Sequence, residues 1–231
     1  MTFPIQEIFC VSNKCFRSIF FRFPVALVFL LTFNFPASAD SCHDLRDPDL
    51  RIAACTNEIS SGRWKGAENS VNYNNRGNAY DAKGNFAEAI ADYSQAIALE
   101  PRNAIYYLNR GWAYGHRGLA SKSMSDYDHS ISDFNLSIAI EPNNALAYAR
   151  RGIVFENRGE FDRAILDHDR AISINPRLVD AYMGRASAYD AKGDYDRAIA
   201  DYDKANALDP KNVGARLARD AEAYRKELED Q

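Results

Sequence analysis

The chain has 231 residues, with 28 Lys and Arg against 32 Asp and Glu, so its net charge of −4 offers no store of positive charge for a phosphate backbone. Its 46% hydrophobic content is that of a folded chain. No nucleophile–base pair and no phosphate-cradling glycine loop appears, so the expectations are no enzyme activity, no cofactor and no nucleic-acid partner.

Residues 1–39 read as a secretory leader. Lys14, Arg17 and Arg22 precede an apolar run from Phe23 to Phe35, and Ala37 and Ala39 supply the small side chains a leader peptidase requires. The apolar run is short for a membrane span, so cleavage after Ala39 is expected, with a retained anchor as the alternative. The mature chain would then be exported to the periplasm or beyond, without a membrane span, and would hold 25 basic and 31 acidic residues.

Residues 40–69 form an N-terminal cap. Asp47 and Pro48 open a helix that carries Leu50, Ile52, Ala53 and Ile59 and stops at Gly62. Only Cys42 and Cys55 remain once Cys10 and Cys15 leave with the leader, and an exported pair predicts a disulfide. Its twelve-residue loop corresponds to about 3 kcal/mol of chain entropy. A metal site through His43 is weak, because His116, His129 and His168 lack ligand spacing.

Four copies follow: residues 70–103, 104–144, 145–178 and 179–212, ending at Pro101, Pro142, Pro176 and Pro210. The first reads Tyr73, Arg76, Gly77, Tyr80, Gly84, Phe86, Ala89, Tyr93, Ala96 and Pro101, and the others repeat those offsets. Tyr107, Arg110, Gly111 and Tyr114 open the second copy; Tyr148, Arg151, Gly152 and Phe155 the third; Tyr182, Arg185, Ala186 and Tyr189 the fourth. The 34-residue period is that of a helix-turn-helix unit that must stack on its copies to bury its apolar face. These residues resemble the tetratricopeptide repeat. The resemblance implies an all-α, right-handed solenoid, with first helices lining a concave face and a protein or peptide as partner.

Arg at the seventh place departs from the family, in which Leu is common there. An arginine on a packed face needs its donors satisfied, and each copy supplies one acid at a fixed place in the second helix. The pairs expected are Arg76 with Asp92, Arg110 with Asp133, Arg151 with Asp167, and Arg185 with Asp201, the alternative being an anion-binding stripe.

The second copy carries seven extra residues, Leu119–Ser125, which either lengthen both helices by about a turn or form a serine-rich loop. Met124, Tyr127 and Ile131 favour helix. Residues 213–231 predict an amphipathic capping helix with Val213, Leu217, Ala221, Tyr224 and Leu228 inward.

Within the resemblance, the expected groove consists of Asn74, Asn75, Asn78, Leu108, Asn109, Trp112, Leu146, Arg150, Ile153 and Met183. Some family members clamp a C-terminal carboxylate there with two lysines, two asparagines and an arginine. Asn78, Asn109 and Arg150 occupy matching places, but Asn74 and Leu146 replace both lysines. The groove is therefore expected to hold an extended peptide through its backbone, with Trp112 either receiving a side chain or packing on the neighbouring copy. The function expected is a non-catalytic interaction scaffold of the cell envelope, the alternatives being self-association or an accessory role beside an envelope enzyme.

Overall fold

The computed structural model describes residues 9–11, 14–16, 42 and 45–229. It divides into two units, residues 1–38 and 39–231. In the first, β1 (Phe9–Val11) pairs antiparallel with β2 (Lys14–Phe16). The apolar run and cleavage site of the expected leader lie outside the described residues.

The second unit is an α-solenoid. It begins with α1 (Pro48–Ser60), whose first turn is closed by the Asp47 side chain accepting from the Leu50 N–H. Four hairpins follow: α2 (Ala67–Ala82) with α3 (Phe86–Leu99), α4 (Ala104–Ser121) with α5 (Met124–Ile140), α6 (Ala145–Asn157) with α7 (Phe161–Ile174), and α8 (Val179–Ala191) with α9 (Tyr195–Leu208). The last helix is α10 (Val213–Glu229). Each helix packs chiefly on its neighbours in sequence.

The most regular core positions are the third and tenth places of each first helix, where most residues are small. Asn72, Tyr106, Ala147, Ala181 and Ala215 occupy the third, and Ala79, Ala113, Val154, Ala188 and Glu222 the tenth, all buried. A small side chain there lets the next hairpin approach closely, while Tyr93, Phe134, His168 and Tyr202 fill the interior from the second helices. His168 fits only because two glycines flank it. A Cβ on Gly184 would stand 2.4 Å from its ring, and one on Gly152 2.8 Å.

This register corrects the expected face of α10. Leu217, one of the predicted inward residues, is 62% exposed and Ala221 is exposed too, whereas Ala215, Ala218 and Glu222 face the fourth hairpin. The side chains of Val213, Tyr224 and Leu228 lie outside the described residues. Helix α10 thus continues the array as a first helix. Where other copies carry an aromatic and a small residue for the second helix to pack on, it carries Arg216 and Asp220.

Helix α1 is the complementary case, a second helix that has no first helix before it among the described residues. Cys55 stands at the place of Tyr93, Phe134, His168 and Tyr202, and its disulfide to Cys42 lies at the core of the cap. The Cys42 N–H donates to Glu58 Oε1 at 3.1 Å, and Arg51 Nε donates to the Leu45 carbonyl at 2.7 Å. Cys42 and Leu45 are thereby held against α1.

The seven extra residues are helical except at the turn. Helix α4 has 18 residues where α6 and α8 have 13, and α5 has 17 where the other second helices have 14. Gly84, Gly159 and Gly193 turn the other hairpins at φ of 74–76°. The matching Gly118 stays helical against the Tyr127 ring, and the left-handed turn moves to Lys122 at φ 54°.

Candidate functional site

The first helices of the four hairpins share a packed stripe that carries an arginine in every copy, and beside it a varied stripe that carries one, Arg150, in the third copy. On the packed stripe, the four expected pairs form two-bond forks, with Nε and Nη2 on the two carboxylate oxygens. The bonds are 2.7 Å for Arg76 on Asp92, 2.8 Å for Arg110 on Asp133, and 2.7 Å for Arg151 on Asp167 and for Arg185 on Asp201. Hydrogen bonding to the acid raises the pKa of Arg76, Arg110 and Arg185 above the usual arginine value, against the lowering effect of burial.

The third nitrogen of each fork reaches the preceding copy. Nη1 donates to Thr56 Oγ1 from Arg76, Ser94 Oγ from Arg110, Asn135 Oδ1 from Arg151 and Asp169 Oδ1 from Arg185. The forks therefore tie hairpin to hairpin as well as helix to helix. Arg219 of α10 keeps the inter-copy bond, to Asp203 at 3.2 Å.

A second series of ion pairs was missed in the sequence. A base at the fourteenth place of a copy meets an acid near the start of the preceding second helix: Lys83 with Asp49, Arg158 with Asp128, Lys192 with Asp162, and Lys226 with Asp196. In the first copy Ala87 stands where that acid would be, so Arg117 turns back to Asp126 of its own hairpin at 2.7 Å. The signal was present as a recurring base and a recurring acid in adjacent copies.

On the concave stripe, the expected groove residues divide into two sets. Leu108 is 6% exposed and belongs to the core with Phe134, Val154 and Tyr127, so it is withdrawn from the groove lining. Asn74 is also buried, its Oδ1 accepting from Asn109 Nδ2 at 2.9 Å. Asn109 Nδ2 approaches Asn78 Oδ1 at 3.3 Å, and the Tyr93 hydroxyl donates to that oxygen at 2.8 Å. Burial pushes the Tyr93 pKa up, which keeps it a donor. The asparagines join the first hairpin to the second, and their shared atoms are committed to one another.

Half-buried Leu146 packs on the core around Phe134, and half-buried Met183 bridges the clusters around Tyr182 and Tyr202. Asn75 and Ile153 are likewise half-buried, while Ile105, Asp180 and Ser187 are exposed along the same face.

Trp112 and Arg150 form the centre. The Arg150 guanidinium lies over the indole, 4.7 Å from its ring centroid, and His116 meets the same indole at 4.4 Å, tilted by 59°. His116 also contacts the Phe86 ring and places Nδ1 3.5 Å from Asp81 Oδ1. Trp112 packs on the Phe134 cluster as well, so its aromatic surface is largely covered by the protein itself.

Arg150 differs from the forked arginines. Among the described residues, no carboxylate lies within 4 Å of its guanidinium. Burial lowers its pKa, while the more distant Asp81, Tyr93 and Asp180 hold it up. The arrangement is a partly desolvated guanidinium held against an aromatic face. Among the described residues, no group of His, Cys, Asp and Glu side chains is arranged to hold a metal ion, and no described helix is long and apolar enough to cross a membrane.

Family models match the chain in three places: a TPR repeat model over residues 77–118, and tetratricopeptide repeat models over residues 106–144 and 179–212. Among solved structures, TTC0263, a thermophilic TPR protein in Thermus thermophilus, aligns with TM-score 0.66 at 18% identity over 77% of this chain and 91% of that one. MamA aligns with TM-score 0.61 at 25% identity over 77% of this chain and 97% of its own. The first TPR of Spaghetti (RPAP3), bound to the HSP90 peptide SRMEEVD, aligns with TM-score 0.50 at 23% identity over 57% of this chain and 99% of that one. Comparison with curated proteins gives no match.

Proposed function

The chain is a tetratricopeptide repeat protein, of a class that serves as scaffolds for protein–protein contact, and on that premise we propose that its concave face binds an extended peptide segment around Arg150. The supporting observation is the contrast among arginines. Every arginine at the seventh place of a copy is forked onto a carboxylate, whereas Arg150 rests on Trp112 and, among the described residues, has no carboxylate within 4 Å. A backbone carbonyl or an acidic side chain of the bound segment supplies the missing acceptor. Trp112 acts by orienting Arg150 rather than by offering an open apolar slot.

The absence of the two clamp lysines separates this groove from one built for a terminal carboxylate. The protein acts as a non-catalytic adaptor, exported by the leader at residues 1–39 and working in the cell envelope. The Cys42–Cys55 disulfide in its cap suits an oxidising compartment.

Trp112 can report binding directly. In a Trp64→Phe background it is the sole tryptophan, and a library of short extended peptides titrated against it is expected to contain members that shift its emission with Kd in the micromolar range. Arg150→Ala should weaken those members by about tenfold or more, the loss of a charge-assisted hydrogen bond. Unchanged affinity for every binding peptide in Arg150→Ala would remove Arg150 from the site and the proposal with it.

A further inference from the structure

The tenth place of the first helices is buried in every copy, and Ala79, Ala113, Val154 and Ala188 fill it with apolar groups. In α10 the same place holds Glu222, only 4% exposed. A carboxyl buried at such a position needs a partner or a proton.

Its surroundings supply too few positive charges. Across from it on α8 stands Asp190, and Arg225 of α10 is the cation that meets both, pairing with Asp190 and approaching Glu222 Oε2 at 3.1 Å. From α9, the Tyr202 hydroxyl senses both carboxyls and, further off, Glu156 of α6. Lys226 and Arg219 on α10 are directed to Asp196 and Asp203. Two carboxyls thus share one arginine, and the second negative charge is uncompensated unless a proton lies between them.

We propose that docking of α10 on the last hairpin depends on a proton shared by Glu222 and Asp190, making the C-terminal lid closed in mildly acidic surroundings and loosened in alkaline ones. Burial, reinforced by Asp190, moves the Glu222 pKa up from 4.5 to about 7. A carboxyl raised on docking favours the docked state most below its undocked value. The advantage is lost as pH climbs from about 4.5 to about 7, because the undocked helix ionises first. Each unit of that difference is a factor of ten in the docking equilibrium. The released surface is the face on which Ala215 and Ala218 sit, beside Tyr182, Ala205 and Tyr202.

Amide hydrogen exchange over residues 213–229, corrected for intrinsic rates, measures the lid at about pH 5 and about pH 8.5. The native sequence should lose about tenfold or more in protection across that interval, while residues 104–140 change much less. Glu222→Gln keeps the shape and removes the charge, and Glu222→Ala restores the residue that three of the other four copies carry; both should flatten the pH response and retain protection at alkaline pH. The proposal is overturned if the native sequence is equally protected at both values, or if either variant keeps the native slope.

Discussion

Arg150 and Arg151 are neighbours in the chain and opposites in the structure. Arg151 lies on the face that recurs, bonded twice to Asp167 and once to Asn135 of the preceding copy. Arg150 lies on the face that varies, against Trp112. In a stacked array, a residue repeated in every copy reports what stacking needs, and one present in a single copy reports something stacking does not need.

That contrast predicts a large asymmetry in stability. Asp167→Ala leaves a mostly buried guanidinium without its carboxylate and should cost about 2–3 kcal/mol, near the lower end for breaking a buried pair because Arg151 keeps some access to water. Arg150→Ala should change stability by less than about 1 kcal/mol, since it removes a single cation–π contact. Urea unfolding of the two variants measures both, and equal losses would erase the distinction between the faces.

The repeating face was readable in the sequence because its partners sit at fixed offsets. An arginine seven places into a copy and an acid in the second helix recur together even across the seven-residue insertion, so the forks between Arg110 and Asp133 and between Arg151 and Asp167 could be paired before any coordinates. The disulfide followed from Cys42 and Cys55 being the two cysteines left beyond the expected leader. The groove was less readable, because facing direction depends on supertwist and on the bulk of neighbours. Leu108 occupies a groove place yet sinks into the core beside Phe134, and Asn74 is consumed by Asn109. Helix α10 was misread for a related reason: large apolar residues draw the eye, but register places Ala215 and Glu222 inward and leaves Leu217 in water.

The second hairpin sharpens the comparison from another side, for its core follows the repeat while its turn does not. In the other copies glycine takes the left-handed turn, but here Lys122 does so with a side chain. Lys122→Gly should therefore stabilise the chain by about 0.5–1 kcal/mol by relieving the Cβ penalty. Thermal unfolding checks this, and a loss of stability would mean that the lysine is held there by contacts worth more than the strain.

The smallest effect concerns the one place where the outer series of ion pairs skips a step. Arg117 turns to Asp126 because the first copy offers Ala87 where the cap and the second, third and fourth copies offer Asp49, Asp128, Asp162 and Asp196. Ala87→Asp rebuilds the missing acid and gives Arg117 two competing partners. Because the pair is largely exposed, the gain should be no more than about 0.5 kcal/mol and should fade with added salt. A double-mutant cycle with Arg117→Ala isolates it, since stabilisation that survives loss of Arg117 would come from the introduced carboxylate near the start of α3, where an acid suits the helix dipole. A coupling near zero would show that the outer pairs decorate the stack, leaving the forks of Arg76, Arg110, Arg151 and Arg185 to hold one hairpin to the next.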